Sequence, residues 1–348
     1  IAPTVSQLTS VPTERASDDT VAAVAQQLRD ADSSVLFLGG RALRADALHQ
    51  AGRVAAATGC RLVTETFFAR QARGIGRVIT ERLAYFGEMA VEQLGDLDTV
   101  VLVGAKAPVS FFAYPDKPSV LWPATASLAT LVDVRIDALD ALTRLADLLD
   151  APAQPVTAST QDTHPLNHGK IDATELGKVV ANRLPEHAIV CDEGATNSLA
   201  TFLLTANAPA HDWLTLTGGA IGQGLPLAVG AAIACPDRPV IALEADGSGM
   251  YTVQALWTMV REQLDITVLL LNNRSYAILN IELARVGVEA PGPIALSLLD
   301  LSNPDLNWAD IARGMGLQAS TVETVEALDS AFSEAVAHKG PSLIEVML

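Results

Sequence analysis

The sequence is short of cysteine, of basic residues and of long apolar runs. Its three cysteines (Cys60, Cys191 and Cys235) are too few and too widely spaced for a disulfide framework or a CxxC metal site, and they fit a reducing cytoplasm. The 23 Lys and Arg residues face 40 Asp and Glu residues, and the net charge of −17 would repel nucleic acid and anionic membranes. The longest apolar runs, 228–234 and 266–271, fall well short of the roughly 20 residues of a transmembrane helix. We therefore expect a cytoplasmic protein that binds neither nucleic acid nor membrane.

What the chain does have is a regular alternation of helical and strand patterns. Ser17 can cap a helix whose apolar positions Val21, Val24, Ala25 and Leu28 share one face. Short apolar runs predict strands at 35–38, 61–64, 99–103, 188–191, 240–244, 266–271 and 342–346. Because strands that alternate with helices form parallel sheets covered on both faces, the pattern predicts an α/β fold with doubly wound, mainly parallel sheets.

The length of 348 residues, of which 49% are hydrophobic, favours two such domains. Periodicity lapses at 151–170, where Pro152, Pro155 and Pro165 stand among polar residues, and this stretch is interpreted as a linker. The expected organisation is a linker at 1–17, a central α/β domain at 18–150, the linker at 151–170 and a C-terminal domain at 171–348.

Two polar clusters follow neighbouring predicted strands of the C-terminal domain. The strand 240–244 leads into Ala245-Asp246-Gly247-Ser248, and the strand 266–271 leads into Asn272-Asn273 and then to Ser275-Tyr276. Ligands bind at the carboxyl ends of strands in open α/β sheets, and carboxylate, amide and carbonyl oxygens suit Mg²⁺. Taken singly, each cluster is also an ordinary turn after a strand.

Together, the two clusters resemble the bipartite signature of thiamine diphosphate-dependent enzymes, in which Asp-Gly is followed after one helix by Asn-Asn. The resemblance extends through most of 171–348 and more weakly into the domain before it. It points to acetolactate synthase large-subunit-like and benzoylformate decarboxylase-like enzymes, with Tyr251, Trp257 and Tyr276 closer to the decarboxylases. Ala245 departs from the usual glycine, so its turn must be one that an L-residue can enter.

The resemblance implies a role for each matching residue. Asp246 and Asn273 would bind Mg²⁺ through side-chain oxygens, and Ser275 would bind it through its main-chain carbonyl. Gly247 and Ser248 would donate to the diphosphate, and Tyr276 belongs to the same cofactor-binding turn. Thr196, in the polar loop after strand 188–191, would supply a further hydroxyl, although that loop can equally cap the next helix.

The glycine-rich segment 217–226 precedes an apolar helix expected at about 222–234. Such a segment can also serve close packing alone. In the family, a hydrophobic residue here wedges between the two rings of the cofactor and enforces a bent conformer, and in this sequence the position falls on Ile221. The carbonyl of Gly219 would accept a hydrogen bond from the 4′-amino group. The resemblance therefore makes Gly219 and Ile221 the catalytic candidates of this chain.

The implied activity is the decarboxylation of a 2-oxo acid followed by carboligation, as in acetolactate synthase. Because the tract after Tyr276 lacks the Gln-Trp of true synthases, a benzoylformate decarboxylase-like activity remains an alternative. A non-catalytic module that binds a cofactor or a partner is a second alternative, since fold alone does not determine function.

The resemblance also implies partners. Its activating glutamate lies in an N-terminal pyrimidine-binding domain, which this chain lacks and would need from a longer chain or a partner. A site completed by a neighbouring subunit implies a homodimer or homotetramer, and the apolar helix that includes 228–234 would suit the interface. Some family members hold FAD in the central domain, and the basic loop Arg70–Arg77 leaves FAD open as a second cofactor.

Overall fold

A computed structural model describes residues 12–288 and 290–348. Within them the chain forms two compact units. The first comprises 12–66 and 80–156, and the second comprises 67–79 and 157–348. Residues 1–11, the larger part of the predicted linker 1–17, lie outside the described residues.

The strands and helices alternate along most of the chain. The strands are Ser34–Leu38 (β1), Arg61–Thr64 (β2), Gln71–Arg73 (β3), Glu81–Arg82 (β4), Thr99–Val103 (β5), Ser127–Val132 (β6), Ile189–Glu193 (β7), His211–Thr215 (β8), Val240–Ala245 (β9), Ile266–Asn272 (β10), Gln318–Val322 (β11) and Ser342–Met347 (β12). The helices are Asp18–Asp30 (α1), Ala45–Thr58 (α2), Gly87–Leu94 (α3), Ala138–Leu148 (α4), Ala173–Arg183 (α5), Leu199–Leu204 (α6), Gly224–Ala234 (α7), Asp246–Gly249 (α8), Ala255–Arg261 (α9), Ala277–Arg285 (α10), Pro293–Ser297 (α11), Trp308–Gly314 (α12) and Val325–Ala337 (α13).

The first unit is built on a five-stranded sheet in the order β4-β2-β1-β5-β6, and its strand pairs are parallel. Strand β1 is buried along its whole length, so residues of both its faces are covered. On one face, Val35 and Phe37 pack with Ala90 and Leu94 of α3. Helix α1 begins after Ser17, whose hydroxyl accepts the Thr20 amide N–H at 3.0 Å, so the predicted cap is confirmed.

The second unit has a seven-stranded sheet in the order β11-β12-β10-β9-β7-β8-β3. All of its strand pairs are parallel except β3 with β8. The chain proceeds from β7 outward to β8 on one side and then to β9 on the other, so the order reverses between β7 and β9. Open α/β sheets bind ligands at such a reversal, outside the carboxyl ends of the strands. The expected fold class, α/β with mainly parallel sheets, is confirmed.

Strand β3 is an element that sequence reasoning placed elsewhere. It lies inside the predicted central domain 18–150, yet Gln71, Ala72 and Arg73 pair antiparallel with β8 of the second unit. The short run carries little apolar periodicity of its own, so its membership depends on pairing at the sheet edge.

Residues of both predicted linkers form hydrogen bonds with the folded units. Glu14 donates its amide N–H to the Arg135 carbonyl at 2.8 Å, within the first unit. In the predicted linker 151–170, the amide N–H of Asn167 donates to Glu175 at 3.0 Å, within the second unit. Over the residues described, no helix is both long and apolar enough to cross a membrane.

A buried group of basic and aromatic side chains lies where β3 pairs with β8 in the second unit. The guanidinium of Arg73 lies 3.5 Å from the ring centroid of Phe202 and 5.3 Å from that of Trp213. The ring of His211 lies next to this cluster, and its Nδ1 is 2.8 Å from the Pro209 carbonyl oxygen. Burial, reinforced by the charge of Arg73, lowers the pKa of His211 to about 3.

The His211 site predicts an acid-dependent loss of stability. The unfolded chain binds a proton at His211 near pH 6.5, whereas the folded protein resists it down to about pH 3, so stability falls as the pH drops below 6.5. The slope approaches about 1.4 kcal/mol per pH unit once the pH is well below 6.5. His211→Asn keeps a donor for Pro209 and removes the titration. Between pH 6.5 and 5.5 the unfolded-state histidine goes from half to nearly full protonation, so urea unfolding should show the wild type losing about 1 kcal/mol more than the variant.

Comparing the pH slope within each protein cancels any loss that the smaller side chain causes at neutral pH. His338→Asn, which removes an exposed histidine of the same unit, is the matched control. Equal slopes for the wild type and His211→Asn would contradict the prediction.

Candidate active site

Four turns meet at the carboxyl edge of the second sheet because β10, β9, β7 and β8 are parallel neighbours. These turns comprise 194–198 after β7, 216–223 after β8, 246–250 after β9 and 273–276 after β10. Every residue that the sequence analysis singled out for the cofactor lies in one of them.

Asp246 ties two of these turns together. Its Oδ1 accepts the Gly247 amide N–H at 2.9 Å, and its Oδ2 accepts the Arg274 amide N–H at 2.7 Å. The side chain is buried, and burial raises the pKa of its carboxyl while the surrounding backbone hydrogen bonds oppose that rise. Ala245 has φ −81° and ψ 148°, an extended conformation open to any L-residue, so replacing the usual glycine introduces no backbone strain.

The turn after β10 is held from within and from the segment that follows α11. Asn273 Oδ1 accepts the Ser275 amide N–H at 3.0 Å, which closes a local turn. The Ser275 hydroxyl and the Tyr276 amide N–H both donate to the carbonyl of Leu299, at 3.2 and 2.9 Å. The residues that precede α10 are therefore hydrogen-bonded to the segment that follows α11, next to Asp246.

Gly247 lies against the aromatic ring of Tyr276. A Cβ atom at Gly247 would overlap Tyr276 Cε1, so no side chain fits there unless the ring or the backbone moves. Ser248 is buried beside Gly247, and its hydroxyl donates to Glu244 Oε1 at 2.8 Å. The hydroxyl of Ser248 is thus directed into the protein rather than toward the sheet edge.

The glycine-rich turn after β8 presents a large apolar side chain to solvent. Ile221 is 48% exposed, between Gly219 with φ +66° and Gly222 with φ +86°. Positive φ is strained for other residues, so the turn depends on glycine at these positions. Helix α7 begins at Gly224 rather than at 222, so Gly222 and Gln223 belong to the turn.

Thr196 lies in a short 3₁₀ turn, Ala195–Asn197, after β7. This turn contacts α10, which directly follows Tyr276, so Thr196 belongs to the same edge as the other candidates. Its side chain is half-buried.

A pair of buried glutamates at the strand reversal was not singled out from the sequence. Glu193 and Glu244 are register partners at the ends of β7 and β9, and they are 2% and 0% exposed. Glu193 Oε1 accepts the Gly222 amide N–H at 2.5 Å, and its Oε2 accepts the Gly224 amide N–H. Glu244 Oε1 accepts from Ser248, whereas its Oε2 has no hydrogen-bond partner in the described part of the chain.

The two glutamates differ in how well their negative charge is supported. Burial, followed by the charge of Glu193, raises the pKa of Glu244 well above its ordinary value. Burial also raises the pKa of Glu193, but the amide N–H groups of Gly224 and Gly222 counteract it. Glu193 is therefore the member of the pair whose negative charge the backbone supports better. The sequence signal that could have revealed this pair is an acidic residue near the carboxyl end of each of two buried strands.

The oxygens of Asp246, Asn273 and Ser275 form a hard, mixed donor set at one place, and this chemistry fits Mg²⁺ held jointly with a phosphate group. Only one of these groups is a carboxylate. In line with that, the described residues contain no group of three or more His, Cys, Asp and Glu side chains arranged to hold a metal by themselves.

The basic loop that left FAD open does not support it. Arg70 forms two hydrogen bonds with the Asp212 carboxylate, at 2.9 and 2.8 Å, and Arg73 is buried against Phe202. Both arginines make contacts inside the second unit, so this part of the loop gives no support to FAD as a second cofactor.

Residues 192–346 match the family described as thiamine pyrophosphate enzyme, C-terminal TPP binding domain. The matched range begins one residue before Glu193 and includes all four turns of the sheet edge. The family comparison therefore coincides with the part of the chain in which the candidate residues lie.

Individual proteins also resemble the chain. It is 47% identical over 330 residues to the Mycobacterium tuberculosis protein "Putative acetolactate synthase large subunit IlvX", covering 94% of this chain and 64% of that protein. It is 33% identical over 163 residues to benzoylformate decarboxylase of Pseudomonas aeruginosa, covering 47% of this chain and 29% of that enzyme. The chain thus spans less than two thirds of either relative.

The fold is also that of a solved enzyme. A thiamine diphosphate-dependent 4-hydroxybenzoylformate decarboxylase of Rhodococcus jostii superposes with a TM-score of 0.79 over 98% of this chain and 66% of that chain, at 24% identity. At this level of identity the likeness establishes the shared fold.

The packing of Gly247 on Tyr276 predicts the effect of adding one methyl group. Gly247→Ala should lower the free energy of unfolding by about 1 to 3 kcal/mol, because the ring or the backbone must shift to admit the Cβ atom. Gly230→Ala is the matched control, since a Cβ atom there meets nothing within 4 Å inside α7, and it should be neutral or stabilising by up to about 1 kcal/mol. Urea unfolding that gives both variants the same stability would refute this account of the turn.

Proposed function

Because residues 192–346 match the family of the thiamine pyrophosphate enzyme C-terminal domain, we propose that the chain acts on 2-oxo acids with thiamine diphosphate and Mg²⁺, as acetolactate synthases do. The reaction would be decarboxylation of one 2-oxo acid followed by carboligation to a second carbonyl compound. The observation that carries this proposal is the hydrogen bond from the Arg274 amide to Asp246, which brings the Asp-Gly and Asn-Asn turns together at the sheet edge.

In this proposal Asp246, Asn273 and the Ser275 carbonyl hold Mg²⁺. Gly247, Ser248 and Thr196 face the diphosphate, with Ser248 limited to its backbone because its hydroxyl is bonded to Glu244. Tyr276 packs on Gly247 and keeps that turn in place. These groups anchor the charged end of the cofactor, since an anion at this edge meets backbone donors and a cation.

Gly219 and Ile221 serve the opposite end of the cofactor. The Gly219 carbonyl would accept from the 4′-amino group, and Ile221, half exposed on the glycine-rich turn, would contact the rings. When bound, the cofactor supplies the electron sink for decarboxylation, while the chain supplies proximity and orientation.

The choice of reaction has two candidates. Synthase-like carboligation is supported by the 47% identity over nearly the whole chain to the acetolactate synthase-like relative. Simple decarboxylation is supported by the benzoylformate decarboxylase likeness and by the sequence after Tyr276. Every residue named above serves both reactions equally.

The proposal also includes partners. A pyrimidine-binding domain with the activating glutamate would come from a longer chain or another subunit, and a homodimer or homotetramer would complete the site. Helix α7 supports a subunit contact, because it is apolar all round and leaves Ile233 59% exposed. The free thiols Cys60, Cys191 and Cys235 support a cytoplasmic location.

The first test is binding. Isothermal titration of the wild-type chain with thiamine diphosphate and Mg²⁺ should give measurable heat, and Asp246→Asn should weaken the affinity by about tenfold or more, because it removes the only carboxylate of the donor set. Asp237→Asn, an exposed aspartate of the same unit, should leave affinity unchanged. Absence of heat from the wild type, or equal affinity of Asp246→Asn, would favour a non-catalytic module.

The second test is turnover. The chain alone should be almost inactive, because loss of the activating glutamate removes an acid–base contribution of about 10² to 10⁴-fold. Adding a pyrimidine-binding domain in trans should restore activity. Products from pyruvate and, separately, from benzoylformate then distinguish acetolactate formation from release of an aldehyde. Efficient decarboxylation by the purified chain alone would show that the missing glutamate is not required.

A further inference from the structure

The turn that carries Ile221 is fastened by side chains from two other elements. Glu193, at the end of β7, accepts the amide N–H groups of Gly222 and Gly224 with its two carboxylate oxygens. Thr252, after α8, donates its hydroxyl to the Gly222 carbonyl at 2.9 Å. Both polar groups of the Gly222 residue, which directly follows Ile221, are therefore bonded to side chains outside the turn.

Burying the carboxylate that accepts these bonds costs free energy, which indicates that the position of the turn is important for the site. Glu193 is 2% exposed and lies beside Glu244, so its carboxylate is both desolvated and next to a second acid. A hydrophobic or amide side chain would cover the same strand end without that cost. What a carboxylate adds is two acceptor oxygens that hold two amides of one turn at once.

The turn has little freedom once these bonds are made. Gly222 has φ +86°, and a Cβ atom there would lie 2.6 Å from Tyr251 Cβ. Gln223 adds a further tie, because the Thr217 hydroxyl donates to its Oε1 at 3.0 Å. The backbone after Ile221 is therefore fixed, while the Ile221 side chain remains 48% exposed at the sheet edge.

We propose that Glu193 is a positioning residue that, through the amides of Gly222 and Gly224, sets the place at which Ile221 contacts the rings of the cofactor. The inference rests on the proposed function of the site. It assigns Glu193 no contact with the cofactor. Its effect should therefore appear only with ligands that carry the rings.

Two probes separate this role from a merely structural one. Thiamine diphosphate with Mg²⁺ uses the ring contacts and the diphosphate contacts, whereas inorganic pyrophosphate with Mg²⁺ uses the diphosphate contacts alone. In Glu193→Gln, one amide N–H of the turn faces a donor instead of an acceptor. We expect thiamine diphosphate affinity to fall about tenfold, as for loss of one charge-assisted hydrogen bond, and pyrophosphate affinity to change less than about twofold.

The controls isolate the path through Ile221. Ile221→Ala should show the same selective loss, and in that background Glu193→Gln should have almost no further effect on thiamine diphosphate affinity. Glu323→Gln, an exposed glutamate of the same unit, should alter neither probe. If Glu193→Gln does not fold, Thr252→Val removes the bond to the Gly222 carbonyl and should give the same selective pattern with a smaller loss.

The outcomes distinguish the two levels of the argument. If the wild type binds neither probe, the proposed function fails. If the wild type binds both probes, three results would overturn the positioning role and leave the proposed function intact. The variants could lose affinity equally for both probes, or they could lose none. The effects of Glu193→Gln and Ile221→Ala on thiamine diphosphate affinity could also simply add.

Discussion

The shared direction of β10, β9, β7 and β8 is the constraint on which the candidate site depends. Parallel neighbours deliver their following turns to one edge of the sheet, so groups far apart in sequence meet without any long loop. Asp246 and Arg274 illustrate this, because their hydrogen bond joins the turns after β9 and β10. An antiparallel pairing at this place would send the two turns to opposite edges and separate the donor set.

The same geometry brings acidic groups together, and their charges must be compensated. Glu193, Glu244 and Asp246 are buried at the ends of β7 and β9, and burial raises the pKa of each carboxyl. Backbone amides of neighbouring turns compensate Glu193 and Asp246, whereas Glu244 Oε1 accepts the Ser248 hydroxyl. The carboxylates thus depend on the turns for solvation, and the turns depend on the carboxylates for their conformation.

Much of this could be predicted from local sequence. The buried strands and the cap at Ser17 follow from apolar runs and a capping hydroxyl, and they occur in the structure near their predicted bounds. The two polar clusters were recognisable because each follows a strand directly. Strand β3 was not recognisable, because three residues that include Gln71 and Arg73 have no apolar pattern and become a strand only by pairing with β8.

The role of Glu193 was hidden for a related reason. Its partners Gly222 and Gly224 lie in another turn, and neither glycine signals that its amide needs an acceptor. The basic loop is the opposite case, because Arg70 and Arg73 look available for a ligand in the sequence. In the structure, Arg70 is paired with a carboxylate from β8, and Arg73 is buried against a ring from α6. In both cases the deciding contact is between residues distant in sequence, which composition and periodicity do not encode.

Under the proposed function, anchoring and orientation of the cofactor would fall to different parts of the edge. The Asp246 and Asn273 turns are bonded to each other and to 299–301, so they form a fixed seat for charge. Ile221 instead projects from a turn that is held mainly through its backbone. In that proposal these groups hold the cofactor rather than the 2-oxo acid. Under the proposed function, discrimination among substrates therefore falls to side chains beyond the seat. Within this unit, the exposed apolar residues of α10 and α11, including Leu279 and Ile294, follow the Asn273 turn most directly.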